Sequence, residues 1–334
     1  MNYIGSKLSL IPFITTTVEN VVGGDLSAYV FCDIFAGTGI VGRSFKTLVN
    51  KIISNDIEYY SYVLNKNYIW NHREIERKDE YICKLNNLSP IADGFIYKNY
   101  CLGGNSGRQY FSDYNGMMID AMRTQIEKWK YIGEIDDNLY YFLLCSLLES
   151  ADKVANTASV YGAYLKSLKK AAQKPLVVTP ANYQLNSNEH EVYNADANEL
   201  IKLVSGDILY LDPPYNARQY GANYHMLNTI AEYRPFQPKG KTGLREYTRS
   251  KYCSRTTVKS KFEQLISDAN FRFIFLSYNN EGLMSFNEIS DIMKKYGRYD
   301  VANTKYHRFK ADKSENRNHK STSTVEYLHI LEKY

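Results

Sequence analysis

The sequence has few of the features that mark secreted, metal-binding or membrane proteins. Its five cysteines are scattered and odd in number, with no C-x-x-C pair, so neither a disulfide framework nor a zinc site is indicated. No stretch is long and apolar enough to span a membrane. The first residues also lack the basic and apolar regions of a signal peptide. We therefore expect a cytoplasmic protein with reduced thiols.

The chain is long for a single core, and its charge is unevenly distributed. At 334 residues we expect two lobes. The net charge is only +5, but eight lysines and arginines stand against one acid between Lys239 and Lys261. A second run, from Lys305 to Lys320, has six against two. Such runs can neutralise phosphates, and a solvated charged face explains either run alone equally well.

The most informative stretch is Asp207–Tyr215. The apolar run Ile208–Leu211 predicts a buried parallel strand. The two prolines that follow, Pro213 and Pro214, cannot continue a central strand, so the chain must leave the sheet there. Ligands of open α/β sheets bind at the carboxyl ends of the strands. The sequence therefore predicts a ligand site at Asp212-Pro213-Pro214-Tyr215.

These four residues suit chemistry on an aromatic exocyclic amine, whose lone pair is delocalised into its ring. Asp212 can accept one amine hydrogen and the backbone carbonyl of Pro213 the other, which localises the lone pair on nitrogen. Tyr215 offers a face on which a planar base can stack, a contact worth about 1–3 kcal/mol. The alternative is a strand that ends in a proline turn with a core tyrosine.

A second motif lies near the N-terminus. A predicted strand, Tyr29–Phe35, runs into a glycine turn and a helix, and the turn glycines let backbone approach a ligand closely. Asp33 is placed to receive a cationic amine, and Asp56 ends the next apolar run, where a carboxylate can bind both hydroxyls of a ribose. Asp196, in a later loop, can accept an adenine amine or cap a helix.

The turn Gly37–Gly42 also satisfies the G-x-G-x-x-G dinucleotide pattern, with Asp56 at about the expected distance. A nicotinamide-dependent dehydrogenase is therefore an alternative for this segment alone. The motif at Asp212 has no role in hydride transfer, and the basic runs suit a polyanion better than a small metabolite.

Asp212-Pro213-Pro214-Tyr215 resembles the catalytic motif of amino-group DNA methyltransferases, especially the adenine-N6 type. The spacing of Asp33, Gly37 and Gly39 resembles an S-adenosylmethionine loop. The order of N-terminal segment, glycine loop, long insertion and catalytic motif resembles the α-group, or D12 class, over roughly residues 1–60 and 190–330. The glycine loop departs from that pattern by its extra dinucleotide-like glycine.

The resemblance implies methyl transfer from S-adenosylmethionine to the N6 of a flipped-out adenine in double-stranded DNA, with no covalent intermediate and no metal. It also implies the modification enzyme of a restriction–modification system, which can pair with an endonuclease, and we expect a monomer or weak dimer. The predicted catalytic residues are Asp212, Pro213, Pro214 and Tyr215. The predicted cofactor-binding residues are Tyr3, Lys7, Asp33, Phe35, Ala36, Gly37, Thr38, Gly39, Asp56, Ile57, Asp196 and Ala197. The predicted DNA-binding residues are Arg218, Lys239, Lys241, Arg245, Arg249, Lys251 and Arg255.

The expected fold is α/β, with a doubly wound, mostly parallel Rossmann-like methyltransferase sheet and an antiparallel C-terminal hairpin. We expect a discontinuous catalytic domain, residues 1–75 and 185–334, and an inserted, mainly helical target-recognition lobe, residues 76–184. Helices are predicted at 138–154 and 161–170. The hairpin strands are predicted at 299–306 and 324–331, with the second basic run at their tip. Ser277–Asn279 should lie near the end of the catalytic strand.

Three further alternatives remain open. A cytosine-N4 methyltransferase uses similar geometry, although Ser usually opens its motif. A ribosomal-RNA base methyltransferase can carry Asp-Pro-Pro, but such chains are typically compact. The chain could also be a DNA-binding module that holds a cofactor without catalysing transfer, which an intact Asp212 and Tyr215 argue against.

Overall fold

The computed structural model describes residues 5–307 and 323–334. The strands are β1 (Val30–Asp33), β2 (Lys51–Asn55), β3 (Glu191–Tyr193), β4 (Ser205–Leu211), β5 (Asn270–Asn279), β6 (Gly297–His307) and β7 (Ser323–Lys333). The helices are α1 (Ile11–Val22), α2 (Ile40–Phe45), α3 (Tyr59–Asn65), α4 (Lys78–Asn86), α5 (Phe95–Tyr100), α6 (Asp113–Tyr131), α7 (Asp137–Val154), α8 (Ala197–Leu200), α9 (Tyr220–Asn223), α10 (His225–Glu232), α11 (Val258–Asp268) and α12 (Phe286–Met293). Shorter turns are 3-10 helical at Leu8–Leu10, Leu102–Gly104 and Lys251–Cys253, and π-helical at Lys66–Trp70.

The described strands form one seven-stranded sheet in the order β3-β2-β1-β4-β5-β7-β6. Every neighbouring pair is parallel except β5 with β7 and β7 with β6. The predicted mostly parallel sheet and its antiparallel C-terminal hairpin are therefore confirmed. Because the order reverses at β1 and β4, their carboxyl ends flank the switch point where such sheets bind ligands.

Helices cover both faces of this sheet, as a doubly wound fold requires. On one face, Cys32, Leu209 and Ile274 share a buried core with α8, α11 and α12. On the other, Phe31 stacks on Phe45 of α2, with ring centroids 4.3 Å apart. Successive side chains of a strand point to opposite faces, so both sides of β1 and β4 are buried. This explains the continuous apolar run of β4.

The chain divides into two compact units. Of the described residues, the sheet unit comprises 5–65, 186–219, 248–307 and 323–334, and the helical unit comprises 66–185 and 220–247. The segment 220–247, which the sequence analysis placed in the catalytic domain, thus lies in the helical unit. Among the described residues no helix is long and apolar enough to cross a membrane.

The helical unit is built on a hairpin of its two long helices, α6 and α7. Ser112 and Asp136 cap them by accepting hydrogen bonds from Asn115 N and Leu139 N. The buried Arg123 of α6 donates to the carbonyls of residues 230 and 231 at 3.0 Å, which satisfies the end of α10. The predicted helix at 138–154 is confirmed by α7.

The helix predicted at 161–170 is wrong, because this segment is irregular. The buried Asn156 organises it instead. Its Nδ2 donates to the Leu165 carbonyl at 2.9 Å, and its Oδ1 accepts from Lys169 N at 3.0 Å. Asn156 O also accepts from Leu165 N at 3.0 Å. One amide side chain therefore satisfies backbone groups that would otherwise favour a helix.

Candidate active site

The predicted catalytic turn lies at the carboxyl end of β4, in the middle of the sheet. β4 ends at Leu211, and Asp212–Tyr215 leave the sheet as predicted. A residue distant in the sequence stabilises the turn, because Tyr215 O accepts a hydrogen bond from Leu283 N at 2.9 Å. The Tyr215 ring meets Tyr278 edge to face, with centroids 6.4 Å apart. Tyr215 itself is half-buried, so part of its surface stays open to a ligand.

The glycine loop leaves the neighbouring strand, β1. Asp33 is in register with Tyr210 of β4, which sets the loop and the catalytic turn side by side. Gly37 and Gly39 have φ of 53° and 73°, a left-handed conformation that favours glycine. The loop closes through a 2.8 Å hydrogen bond from Gly39 N to Ala36 O. The structure therefore brings the two sequence motifs to one edge of the sheet.

Asp33 is the most unusual group of this loop. Its side chain is buried, and only Oδ2 has a partner, Gly42 N at 3.3 Å. Oδ1 is buried with no hydrogen-bond partner among the described residues. Burial, followed by the nearby Asp212 carboxylate, raises the pKa of Asp33 to about 8. A buried, half-satisfied carboxylate is costly alone and suits a cationic ligand.

The ends of β2 and β3 complete this edge. Asp56 accepts from Gly37 N at 2.8 Å and from Glu58 N at 2.9 Å, so it anchors the glycine loop. Asn194 Nδ2 donates to the carbonyls of Asp56 and Ile57 at 2.8 and 3.0 Å. Asp196 is exposed and caps α8 by accepting from Asn198 N at 2.9 Å. Both roles considered for Asp196 remain compatible, since a capping carboxylate keeps a second oxygen.

The other described residues predicted to bind the cofactor are buried or half-buried. Phe35 is half-buried and meets Tyr252 edge to face, with centroids 4.9 Å apart. Thr38 is half-buried, whereas Ala36 and Ala197 are buried. The groups at this edge fit S-adenosylmethionine: Asp33 offers an unpartnered carboxylate oxygen, the glycines allow close approach of the backbone, and Phe35 offers a half-buried ring.

Lys7 lies at the catalytic turn. Its Nζ is 3.2 Å from Asp212 Oδ1 and 2.8 Å from Glu326 Oε1. Its ring contact is with Tyr215, whose centroid is 5.7 Å from the ammonium. The carboxylates of Asp212 and Glu326 outweigh the opposing effect of burial and hold the pKa of Lys7 well above its usual range. Tyr3, also predicted to bind cofactor, lies outside the described residues.

Sequence reasoning missed Glu326. This residue sits on β7 and accepts from Ser277 Oγ of β5 at 2.5 Å, as well as from Lys7. The prediction that Ser277–Asn279 lie near the end of the catalytic strand is confirmed, because Leu276 is in register with Leu211. The sequence offered no signal that could pair Lys7 with a residue 319 positions away.

The predicted DNA-binding residues divide between the two units. In the sheet unit, Arg218 is exposed in the loop after Tyr215, and its carbonyl accepts from Cys253 Sγ at 3.3 Å. Gln219 bonds both N and O of Ser250, so the same loop adjoins Arg249 and Lys251. The exposed Arg249, Lys251 and Arg255 have no side-chain hydrogen bond or ion pair within the described ranges.

In the helical unit two of the three predicted cations are paired with acids. Lys239 pairs with Glu246 at 2.7 Å, and Arg245 pairs with Glu232 at 2.5 Å. Lys241 is exposed, and its carbonyl accepts from Arg108 Nε at 3.2 Å. The second basic run, from Lys305, extends into residues 308–322, which lie outside the described part of the chain.

Comparison with known proteins gives consistent matches to DNA methyltransferases. A family model described as D12 class N6 adenine-specific DNA methyltransferase matches residues 3–292. The Type II methyltransferase M.NlaIII of Neisseria lactamica is 64% identical over 333 residues, which cover 100% of this chain and 99% of that protein. The Type II methyltransferase M.CviAII of Paramecium bursaria Chlorella virus 1 is 37% identical, with 93% of each chain covered. M.FokI of Planomicrobium okeanokoites is 38% identical across this whole chain, which spans 53% of that longer protein.

Proposed function

The chain belongs to the D12 class of N6-adenine-specific DNA methyltransferases, and we propose that it moves the methyl group of S-adenosylmethionine to an adenine flipped out of duplex DNA. One observation carries the proposed residue roles. The loop of Asp33 and the turn of Asp212 leave adjacent, in-register strands at the switch point of the sheet. A methyl donor on one and an amine on the other would meet there.

The cofactor would be held by the ends of β1, β2 and β3. Asp33 would receive its cationic amine, Asp56 its ribose hydroxyls and Asp196 its adenine amine, with the backbone of Gly37–Gly39 alongside. Bound there, S-adenosylmethionine supplies an electrophilic methyl group. Lys7, also predicted to bind the cofactor, lies nearer the substrate side, because its ammonium contacts Asp212.

Asp212 and Pro213 would prepare the amine. One carboxylate oxygen and one backbone carbonyl accept its two hydrogens, which localises the nitrogen lone pair towards the methyl group. The half-buried ring of Tyr215 stacks on the base and offsets part of the few kcal/mol needed to unstack it. When nitrogen gains the methyl group it must lose a proton, and the Asp212 oxygen already bonded to it is placed to take that proton.

We propose that both units contact DNA. The exposed cations Arg218, Arg249, Lys251 and Arg255 follow the catalytic turn in the sheet unit and suit phosphates. The helical unit, residues 66–185 with 220–247, is proposed as the target-recognition lobe, because its larger part, residues 66–185, lies between the cofactor motif and the catalytic motif in the chain. Lys241 offers an exposed cation on it.

Family membership favours adenine N6 over the cytosine-N4, RNA and dehydrogenase alternatives. Relatives named as Type II methyltransferases support a further proposal, that this chain protects sites cut by a partner endonuclease. We propose that it acts as a monomer or weak dimer.

Nucleoside mass spectrometry after incubation with S-adenosylmethionine and mixed-sequence duplex DNA tests the proposal. N6-methyladenine should form, and Asp212→Ala should abolish it while calorimetry shows that cofactor still binds. The matched control is Asp291→Ala, an exposed acid on α12, which should keep full activity. Loss of cofactor binding in Asp212→Ala would contradict the assigned roles. Methylation by that variant at the wild-type rate would remove Asp212 from the mechanism.

A further inference from the structure

Asp212 belongs to a network of four side chains, of which the other three, Lys7, Ser277 and Glu326, are buried. Lys7 Nζ lies between Asp212 Oδ1, at 3.2 Å, and Glu326 Oε1, at 2.8 Å. Ser277 Oγ donates to the same Glu326 oxygen at 2.5 Å. Lys7 is 4% exposed and Glu326 is 1% exposed, so water cannot compensate either charge. The ammonium is thus shared by two carboxylates, and it lies closer to the one that is not in the catalytic motif.

We propose that Glu326 is a positioning residue for the methyl transfer, which holds the Lys7 ammonium at Asp212 Oδ1 and so leaves Asp212 Oδ2 to the adenine amine. The inference rests on the proposed role of Asp212. Lys7 supplies the counter-charge that a buried carboxylate requires, and Glu326 keeps that charge at a fixed distance.

The register of the strands supports this role of Glu326. Glu326 is in register with Asn279 of β5, and β5 is in turn in register with the catalytic strand β4. Ser277 fixes the Glu326 side chain from the same β5. The lysine side chain is flexible, so its ammonium is held in place by residues of the sheet.

Stability alone does not explain Glu326. Its second oxygen, Oε2, is buried with no hydrogen-bond partner among the described residues. Replacing a buried ionic group by apolar side chains of similar volume is often neutral or stabilising. A half-satisfied carboxylate that holds the lysine paired with Asp212 therefore indicates a functional role.

The electrostatics of the network predict opposite effects of its two charges. Burial raises the pKa of Asp212 to about 6, Lys7 acts to lower that pKa, and Glu326 acts to raise it. The other titratable groups that interact with Lys7 or Asp212 are Asp33 of β1, Tyr210 of β4 and Tyr215 of the catalytic turn. None of these three is substituted in the test. With Lys7 and no Glu326, the ammonium would be free to move closer to Asp212 and bind its second oxygen as well.

The test is the pH dependence of the single-turnover methylation rate, with duplex DNA and cofactor saturating. The acidic limb of this profile reports ionisation of Asp212 in the ternary complex. Lys7→Met should move the limb up by about 1–3 pH units, the range expected when an opposite charge is lost. Glu326→Gln should move it down and lower the plateau rate about tenfold or more. The double variant should bring the limb back towards the wild-type position.

Two further variants make the result specific. Ser277→Ala frees Glu326 without changing the charge of the network, so it should lower the plateau rate and leave the limb in place. Glu332→Gln is the same substitution on the same strand, β7, at a residue that pairs with Arg272 on the surface. This control should change neither the plateau nor the limb.

Several outcomes would overturn the inference. Limbs that move in the same direction in Lys7→Met and Glu326→Gln, or an unmoved limb and plateau in Glu326→Gln, would show that Glu326 only packs. Loss of cofactor affinity in Lys7→Met with no shift of the limb would assign Lys7 to the cofactor. Failure of the proposed function is distinguishable, because the wild-type protein would then form no N6-methyladenine at any pH.

Discussion

Substitution of Gly39 by alanine tests how tightly the glycine loop is built. Gly39 has φ of 73°, and a Cβ added there would lie 2.3 Å from Asn65 Oδ1. Asn65 cannot simply swing away, because Ser54 Oγ donates to its Oδ1 at 3.0 Å. Its Nδ2 donates to Gly37 O at 3.1 Å and to Ser61 O at 2.9 Å. The new methyl group must therefore break a buried network or shift the loop.

The expected cost has two parts. A non-glycine residue in the left-handed region costs about 1–2 kcal/mol. Leaving buried polar groups of Asn65 unsatisfied costs about 1–3 kcal/mol more. Gly39→Ala should therefore destabilise the protein by about 2–5 kcal/mol. Gly24→Ala is the matched control in the same unit, since Gly24 has φ of 92° and nothing within 4 Å of an added Cβ. It should cost only the strain.

Urea denaturation followed by circular dichroism would measure both variants, together with Asn65→Ala and the double variant Gly39→Ala/Asn65→Ala. Because the collision disappears when Asn65 is truncated, the double variant should cost clearly less than the sum of its single changes. Calorimetry should also show weaker S-adenosylmethionine binding by Gly39→Ala, since the bond to Gly37 O is lost. Equal destabilisation by Gly39→Ala and Gly24→Ala would refute the role given to Asn65.

Three further predictions concern the ligands. Because the pKa of Asp33 is raised to about 8 by burial and Asp212, Asp33 is mainly protonated at pH 7, and binding of a cationic amine should ionise it. Cofactor binding should then release close to one proton at pH 7 and less above pH 8, whereas binding to the Asp33→Asn variant should release none. Calorimetry in buffers of different ionisation enthalpy measures this proton release. Tyr215→Ala should lower turnover about 10-fold or more, from the lost stacking, while nonspecific DNA affinity measured by fluorescence anisotropy changes little; equal losses in both would contradict this. The double variant Arg249→Gln/Lys251→Gln should reduce the slope of log affinity against log salt by up to about 1.8, whereas Lys239→Gln, whose ammonium is paired with Glu246, should change it less.

The strands and their ligand edge could be predicted because they depend on local patterns. β4 is buried on both faces, so its apolar run is continuous, and the prolines after Asp212 fix where it ends. The C-terminal hairpin showed the same kind of signal, and β6 and β7 confirm it. Parallel strands bring their carboxyl ends to one edge, so residues that follow strands could be assigned to a common site before their distances were known.

Tertiary hydrogen bonds explain the failure at residues 161–170. The segment has the composition of a basic helix, and its periodicity carries no trace of Asn156, which lies outside it. Yet that one side chain satisfies both N–H and C=O groups within the segment. Tyr161 is held in turn by a 2.7 Å bond from its N to Asn223 O. Local propensity was overridden by partners that no local window contains.

Long-range pairing also explains why the partners of Lys7 could not be predicted. The resemblance suggested the cofactor, whereas the structure supplies the carboxylates of Asp212 and Glu326. The partner on β7 depends on strand order, since β7 must lie beside β5 for Glu326 to reach Ser277. Sequence spacing does not determine that order.

The basic run from Lys239 to Lys261 shows how a charge pattern in sequence can divide in space. Its first cations lie in the helical unit, where Lys239 and Arg245 are paired with acids. Arg249 and Lys251 lie in the sheet unit, exposed beside the loop that follows the catalytic turn. A phosphate that binds Lys239 or Arg245 must displace a carboxylate, whereas one that binds Arg249 or Lys251 displaces only water. Nonspecific DNA affinity should therefore depend mainly on the cations nearest the catalytic turn, although the sequence gave both groups equal weight.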